Sequence, residues 1–327
     1  MNLPQINYQI LYNKRDITAD ISPAVISIDY TDKLTGESDE LSITLEDADK
    51  HWQGAWYPVK GDSLQFLIRQ GNGQLDCGVF EIDELELSTS TGGDIFTVKA
   101  LAAGITKAMR TKTSYAHEDK TLREIANTVA ASIGLTLVGT PPDIRFHRSH
   151  QYRETDLAFL NRVDADYGCV FSVRDTMLVF TYYLDLAGRK ASVSLARTDV
   201  ITFSLKDTTH KTFKKARVRH HDPNTNEEID EEESDNDTDS EDELDVHDRC
   251  ETQQQAKAKA KYALFKNNTA GVGGDITTPG NILLVAGNNV ALKGVGVFEG
   301  DYQVLQSTHN INRDGYTTSC NIKRVQK

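Results

Sequence analysis

Residues Gln151–Gly168, QYRETDLAFLNRVDADYG, combine charged side chains with an apolar repeat that is typical of an amphipathic helix. Thr155 is a suitable N-cap, and Asp156 places a negative charge in the first turn, where the helix dipole favours it. Four apolar residues fall on one stripe of such a helix: Phe159, Leu160, Val163 and Tyr167. Gly168 supplies the stop. We therefore predict a helix that packs one face against a core and exposes its charges.

The carboxylates of this stretch allow a second interpretation. Glu154 could act with Asp164 or Asp166 as an acid and base pair of the kind that glycosidases use. That chemistry requires one carboxyl group whose pKa is raised by an apolar pocket, and the sequence singles out no such residue. We favour the structural interpretation, in which Asp166 pairs with Arg162 one turn earlier, a contact worth about 0.2–0.5 kcal/mol.

The first hundred or so residues indicate strands. Polar and apolar residues alternate in five short runs, and glycine-containing turns separate several of them. The runs are AVISIDY (24–30), LSITLED (41–47), SLQFLIRQ (63–70), GVFEIDEL (78–85) and DIFTVKA (94–100). Strands of period two at this spacing indicate an antiparallel barrel or sandwich.

Two further helices have clear start signals. Thr121-Leu-Arg-Glu124 is a capping-box pattern ahead of an apolar run that Gly134 ends. Thr252-Gln-Gln-Gln255 repeats the spacing ahead of a segment rich in alanine and lysine, a strong helix former. The C-terminal segment returns to strands, with a hairpin signal at Arg313-Asp314-Gly315. The predicted fold is mainly β with a small α/β insert.

Length and composition limit the class of protein. A chain of 327 residues is typical of about two domains. No basic-then-apolar signal layout opens it, and its longest apolar runs fall far short of the roughly 20 residues that span a bilayer. We expect a soluble, unexported protein. The cysteines lack the spacing of a zinc site, so we predict free thiols in a reducing cytoplasm: Cys77, Cys169, Cys250 and Cys320.

The net charge of −13 is concentrated in one stretch. Glu227–Asp245 holds 13 acidic residues and no basic one, so the rest of the chain is close to neutral. Three aspartates imitate the start of an EF-hand loop: Asp235, Asp237 and Asp239. Ser240 and Val246 stand where that loop requires glycine and glutamate. We therefore predict a disordered surface loop over about 222–248, with electrostatic docking to a basic partner as the alternative.

Histidine, glycine and basic residues give no stronger site. His220 and His221 are adjacent in a predicted strand and point to opposite faces, so with His247 they make a poor metal site. Gly294–Gly300 lacks the GxGxxG spacing and a following helix. A short basic strip has no interleaved aromatics, which argues against nucleic-acid binding: Lys211, Lys214, Lys215, Arg217 and Arg219. We predict no catalytic residue, no cofactor-binding residue and no metal ligand.

Several blocks, taken in order, resemble one known family. QYRETDLAFLNRVDADYG followed by a strand ending in MLVF is similar to the signature of the late control gene D family. These are the central baseplate hub proteins of contractile phage tails and tailocins, similar to the N-terminal hub part of type VI secretion spike proteins. DELSITLEDAD with WYPVKGDSLQFLI resembles the first barrel of the family, TLREIANTVAASIGL its insert helix, and the stretch from GNILLVAGNN onward its terminal block. The resemblance covers most of the chain and leaves out the acidic run.

The resemblance implies three domains. We expect a first tail-tube-like barrel over 1–103, the insert over 104–188, and a second, similar barrel over 189–327 that carries the acidic loop and a helix at about 252–267. It also implies a homotrimer, whose ring of six barrels joins the hexameric tail tube to a trimeric spike.

The resemblance further implies location and partners. We expect a protein of the virion tail baseplate, assembled in the bacterial host cytoplasm. The expected partners are the spike protein, the tail tube or tube-initiator protein, and other baseplate proteins. It implies no enzyme activity, no cofactor, no direct nucleic-acid recognition and no membrane insertion.

Two alternatives stay open. One is the spike base of a type VI or extracellular contractile injection system. The other, from a different class, is a tail-associated peptidoglycan hydrolase that uses Glu154 or the aspartates of the helix. The sequence ends after the second barrel without an oligonucleotide-binding-fold module, a β-helix needle or a lysozyme-like segment, so we expect the spike to be a separate protein.

Overall fold

The structure of the protein, a computed structural model, describes residues 6–325 with the exception of 35–37, 103–110, 175, 209–211, 223–226, 237 and 239. Strands dominate these residues and helices are few, which confirms the predicted class, mainly β with a helix-containing insert. Within the described residues, no helix is both long and apolar enough to cross a membrane.

The first part of the chain is a curved antiparallel sheet. Its strands are β1 (Ile6–Tyr12), β2 (Arg15–Asp16), β3 (Val25–Lys33), β4 (Glu40–Glu46), β5 (Ser63–Gln70), β6 (Gly73–Ser90) and β7 (Gly93–Ala102), with the short helix α1 (Thr18–Ile21) after β2. The strand order is β2-β1-β5-β6-β7-β4-β3. In β4 every second residue is buried, as the alternation of LSITLED predicts, so one face of the sheet encloses an apolar core.

A mixed segment follows. Its elements are β8 (Thr113–Thr121), α2 (Leu122–Ser132), β9 (Thr136–Val138), β10 (Arg145–Glu154), α3 (Asp156–Tyr167), β11 (Cys169–Arg174), β12 (Met177–Tyr182) and α4 (Tyr183–Ala187). The strands form a β8–β10 pair and a three-stranded sheet of order β11-β12-β9. Both longer helices pack their apolar stripes into one separate core.

The last part contains a second large set of strands and a charged subsheet. Its elements are β13 (Val193–Ala196), β14 (Thr202–Asp207), β15 (Lys215–Asp222), β16 (Glu227–Ser234), β17 (Glu243–Val246), α5 (Gln253–Asn268), β18 (Val272–Pro279), β19 (Asn289–Lys293), β20 (Gly300–Asn312) and β21 (Gly315–Arg324). Strands β15, β16 and β17 form their own sheet against α5. The other strands surround a core of their own.

The first and last sets of strands have the same topology. The order β1-β5-β6-β7-β4-β3 corresponds, strand by strand in chain order, to β13-β19-β20-β21-β18-β14. The β6–β7 register shifts between Ile82 and Glu84, and the β20–β21 register shifts at the equivalent place between Val304 and Gln306. One polarity differs, since β1 is antiparallel to β5 whereas β13 is parallel to β19. The prediction of two similar, mainly antiparallel barrel-like domains is confirmed.

A glycine turn before β5 and β19 repeats in the same way. The amide of Gly61 donates to the carbonyl of Ile82 at 2.8 Å, and the amide of Gly287 donates to the carbonyl of Val304 at 2.8 Å. The φ angles of the two glycines are +89° and +87°, a region that favours glycine. Each glycine therefore lets the loop turn back onto the long strand immediately before its bulge. We call the two repeated units the first half and the second half.

One strand joins the two halves into a single sheet. Residues 300–303 of β20 pair with β19, whereas residues 306–312 of the same strand pair antiparallel with β3 of the first half. The result is a continuous sheet of 13 strands. The two halves are thus coupled by backbone hydrogen bonds, which resist relative movement more than side-chain contacts alone.

The prediction of a disordered loop over about 222–248 is wrong for most of the described part. Residues Glu227–Ser234 form β16, paired antiparallel with β15, and Glu243–Val246 form β17, paired parallel with it. The helix expected at about 252–267 is present as α5. It lies against α3 and the charged subsheet. The boundaries at 103 and 188 stay predictions, and the first of them falls within 103–110, outside the described residues.

Candidate functional site

Helix α3 begins and ends where the sequence predicts. The Thr155 hydroxyl accepts from the amide of Ala158 at 3.2 Å, which makes Thr155 the N-cap. Gly168 has φ +68°, the left-handed conformation that ends a helix. The four apolar residues of its stripe are buried. The helix is therefore a packing element of the insert core.

Glu154 is engaged in a local ion pair. Arg162 donates to the Glu154 carboxylate at 2.7 Å and to the carbonyl of His150 at 2.7 Å. Arg162 therefore does not pair with Asp166 as predicted. Its side chain instead reaches back to β10, the strand that precedes the helix. The ion pair between Glu154 and Arg162 thus ties the middle of the helix to the end of β10.

Asp156 has a role that the sequence only partly indicates. Its carboxylate is buried and accepts from Gln151 at 2.7 Å, from Ser132 at 3.0 Å and from Thr113 at 3.3 Å. The position in the first helical turn signals a favourable charge, but the partners on β8 and α2 carry no sequence signal. A buried carboxylate with three donors fixes the relative positions of these elements.

The two described carboxylates suggested for catalysis have different partners. Glu154 lies 2.7 Å from Arg162, whereas Asp166 lies 3.4 Å from Lys259. The side chain of Asp164 lies outside the described residues.

Asp166 belongs instead to a cluster around one buried lysine. Lys259 of α5 is only 5% exposed, and its ammonium group lies 2.5 Å from Asp248 and 3.4 Å from Asp166. It also donates to the carbonyl of Arg249 at 3.1 Å and lies over the ring of Tyr167. Burial raises the pKa of Asp166, and the charge of Lys259 opposes that effect. This cluster fixes α5 on α3.

Replacing Lys259 with methionine should lower the free energy of unfolding by about 2 kcal/mol, because charge-assisted hydrogen bonds are lost at a buried position. Lys257→Met on the same helix is the matched control. Lys257 is 65% exposed and makes one ion pair of 3.5 Å with Glu233, so the control should change stability by less than about 0.5 kcal/mol. Urea unfolding followed by circular dichroism measures both. Equal losses of stability in the two variants would contradict the structural role assigned to Lys259.

The acidic run and the basic strip are partners. On the outer face of the subsheet, Arg217 makes a two-pronged ion pair with Asp230, and Arg219 pairs with Asp245 at 3.2 Å. Lys215 pairs with Glu232 at 2.9 Å. The hydrogen bonds from Arg217 lower the pKa of Asp230. The basic central strand thus lies between two acidic strands.

A sequence signal for this pairing exists. KARVRHHD (215–222) begins with alternating basic and apolar residues, whereas EEIDEEES (227–234) is acidic around a single apolar residue. The two segments are separated by PNTN, a typical turn composition. Composition alone indicated disorder, whereas complementary charges on neighbouring strands stabilise a sheet.

The proposed metal ligands do not converge in the described part of the chain. His220 and His221 alternate across β15, opposite Ile229 and Glu228. The carboxylate of Asp235 accepts from the side-chain amide of Asn268 at 2.6 Å, while Asp237 and Asp239 lie outside the described residues. Among the residues that the structure describes, no three His, Cys, Asp or Glu side chains form a group that could hold a metal ion. The four cysteines are free, as predicted, and the structure buries all four.

The junction between the halves combines side-chain hydrogen bonds and ring contacts on the two faces of the large sheet. On its outer face, Thr31 and Thr308 are 3.1 Å apart, and Asn310 donates to Asp29 at 2.6 Å. On its inner face, His309 stacks on Tyr30 with ring centroids 5.7 Å apart. His309 is fully buried, and burial lowers its pKa to about 4. The described contacts thus form an interface between the two repeated units.

The fold is that of tail proteins. The 43 kDa tail protein of prophage MuSo2 from Shewanella oneidensis is similar with a TM-score of 0.76 over 98% of each chain, at 14% identity. A component of the type VI secretion system of E. coli is similar with a TM-score of 0.57 over 99% of this chain and 77% of that chain, at 11% identity. At such identities the likeness establishes the fold alone.

The sequence establishes the family. Residues 94–315 match the family described as phage tail baseplate hub (GPD), so the chain belongs to that family. A relative from Escherichia phage 186, described as a probable baseplate hub protein, is 29% identical over 176 residues. That match covers 53% of this chain and 44% of the relative, less than half of its length. The resemblance noted from the sequence is confirmed, and it places the protein in a virion tail.

Proposed function

We propose that this protein is the structural hub of a contractile-tail baseplate, in which three copies form a ring that joins the sixfold tail tube to a threefold spike. One observation carries the proposal. Each chain contains two halves of identical strand order joined in one sheet, so three chains supply six equivalent units. A threefold assembly of this chain therefore has the approximate sixfold symmetry that a hexameric tube requires.

The proposed mechanism is symmetry adaptation with mechanical transmission. The β3–β20 junction holds the two halves of a chain together, and the insert and the charged subsheet each occur once per chain. The tube would contact the repeated halves, and the spike would contact features that occur once per chain. The proposed domains are the two barrels, 1–103 and 189–327, and the insert, 104–188.

We propose no catalytic role. The carboxylates suggested for peptidoglycan hydrolysis are committed to packing contacts: Glu154 to Arg162 and Asp166 to Lys259. A spike base of a type VI system is the second candidate, supported by the likeness of the fold to the E. coli component. The prophage tail protein has the higher TM-score, and its match covers nearly the whole of both chains. Both facts favour the tail hub.

Co-expression with the tube and spike proteins of the same particle tests the proposal. A tagged copy of this chain should retain both partners through size exclusion at moderate salt, and should leave no clearing on a peptidoglycan zymogram. Loss of both partners from a folded chain, or a clearing that Glu154→Gln abolishes, would contradict the hub function.

A further inference from the structure

The large sheet leaves several strand edges without a partner within the described residues, and two of them, on β6 and β14, are related by the internal repeat. One edge of β6 pairs with β5 up to Glu81, but beyond the bulge residues 84–90 pair only with β7 on the other edge. Strand β14 pairs with β18 on one side and with no described strand on the other. Free strand edges promote association and are usually covered. Both edges therefore need an explanation.

The internal repeat shows what each edge fits. Strand β6 is the equivalent of β20, and β14 is the equivalent of β3. In β20 the residues beyond the equivalent bulge, 306–312, are paired antiparallel with β3. The free edges of β6 and β14 thus correspond to the two sides of the β3–β20 junction. Within one chain these two edges do not pair with each other.

The register of this second junction can be derived from the first. The hairpins Ser90–Gly93 and Asn312–Gly315 align β6 with β20 and β7 with β21. The pairings of β7 with β4 and of β21 with β18 then align β4 with β18, and hence β3 with β14. His309 opposite Tyr30 then corresponds to Leu87 opposite Leu205. Glu86 faces Lys206 in the same register. The derived junction therefore sets an apolar pair on its inner face and opposite charges on its outer face.

Burial supports the same conclusion. The inner-face residues of the existing junction are almost fully buried, with Ile28 and His309 at 0% exposure. Their equivalents in the free edges are exposed: Phe203 at 38% and Leu87 at 46%. Because equivalent positions of one fold carry large apolar side chains, their exposure in the single chain indicates surface that a partner covers.

We propose that residues Leu85–Ser90 of one copy pair antiparallel with Thr202–Asp207 of the next copy, with Leu87 opposite Leu205, so that one sheet runs from chain to chain. The contact is heterologous, because it joins different surfaces of the two copies, and its closure into a ring rests on the proposed function. The copy number of three rests on the proposed function, whereas the pairing and its register do not.

A disulfide experiment tests the register. The variant Leu87→Cys/Leu205→Cys should form intermolecular disulfides on mild oxidation of the full chain, giving covalent products up to three chains on a non-reducing gel. The control Leu87→Cys/Thr202→Cys moves one thiol three residues, or about 10 Å, along β14, beyond the roughly 4–7 Å between Cα atoms that a disulfide spans. It should give about a tenth of the product or less. The native cysteines are buried.

Charge exchange tests the same register without cysteines. Lys206→Glu should weaken self-association about tenfold, and adding Glu86→Lys should restore it. If the matched cysteine pair yields no more product than its control, the pairing is overturned, whatever the mass of the assembly. A three-chain assembly without that disulfide would overturn this inference and leave the hub function standing; failure to bind tube and spike would contradict the hub function itself.

Discussion

Lowering the pH from 6.5 to 4 is expected to reduce the free energy of unfolding by about 3 kcal/mol through His309 alone. The unfolded chain takes up this proton near the ordinary histidine pKa, whereas burial lowers the pKa of His309 in the folded chain to about 4. Between these values the unfolded state binds more protons, so stability falls as the pH falls. Above pH 6.5 both states are neutral and His309 has no effect.

The surroundings of His309 explain the size of the effect. The hydroxyl of Tyr316 lies 2.6 Å from its Nδ1, and Ser307 and Thr318 lie within 3.5 Å of the ring nitrogens. These contacts are uncharged, and a hydrogen bond with the backbone of Leu284 opposes the effect of burial on the pKa only in part. Protonation would therefore destabilise the junction between the halves.

Urea unfolding at several pH values measures this dependence. His309→Gln should remove most of the decline between pH 6.5 and 4 that the unchanged protein shows. His147→Gln is the control, because the side chain of His147 is 69% exposed, and it should leave the decline unaltered. An equal decline in all three proteins would show that His309 is not the titrating group.

Gly274→Ala is expected to lower the free energy of unfolding by about 3 kcal/mol or more. Gly274 lies in β18 opposite Leu205 and has φ +155°. A Cβ atom there would overlap the carbonyl oxygen of Ser204 on the neighbouring strand. The backbone of β14 cannot move away without losing its pairing, so the substitution should detach β14 and with it the proposed interchain edge.

The variant Gly315→Ala is a control that introduces backbone strain without a steric overlap. Gly315 has φ +139°, and a Cβ atom at that position would meet nothing within 4 Å. The control should therefore cost about 1 kcal/mol of conformational strain and leave self-association intact. Thermal unfolding measures the stability of the two variants, and sedimentation measures their self-association. Similar losses in both would contradict the role assigned to the close approach at Gly274.

Short-range sequence patterns were sufficient to predict most individual helices and strands. Thr121 and Glu124 form the predicted capping box, with both hydrogen bonds present. Thr252 caps α5, and the hairpin at Arg313–Gly315 closes β20 onto β21. These features depend on residues within three or four positions of each other, which is why spacing alone predicts them.

Features that depend on distant residues could not be predicted in the same way. Asp166 pairs with Lys259, 93 positions away, so the nearer Arg162 was the wrong partner. The β3–β20 junction joins residues almost 280 positions apart, and no periodicity within a strand identifies its neighbour. The acidic run looked disordered because its partner strand carries the neutralising charges. The interface assigned to the hub is of this non-local kind.

The central claim is that one chain supplies two of six equivalent units. Light-scattering mass after size exclusion, with the spike protein present in equal molar amount, tests it most directly. The account predicts a complex that contains three copies of the 36.4 kDa chain per spike trimer. A complex with any other copy number of this chain, or a folded chain that stays monomeric beside its spike, would contradict it.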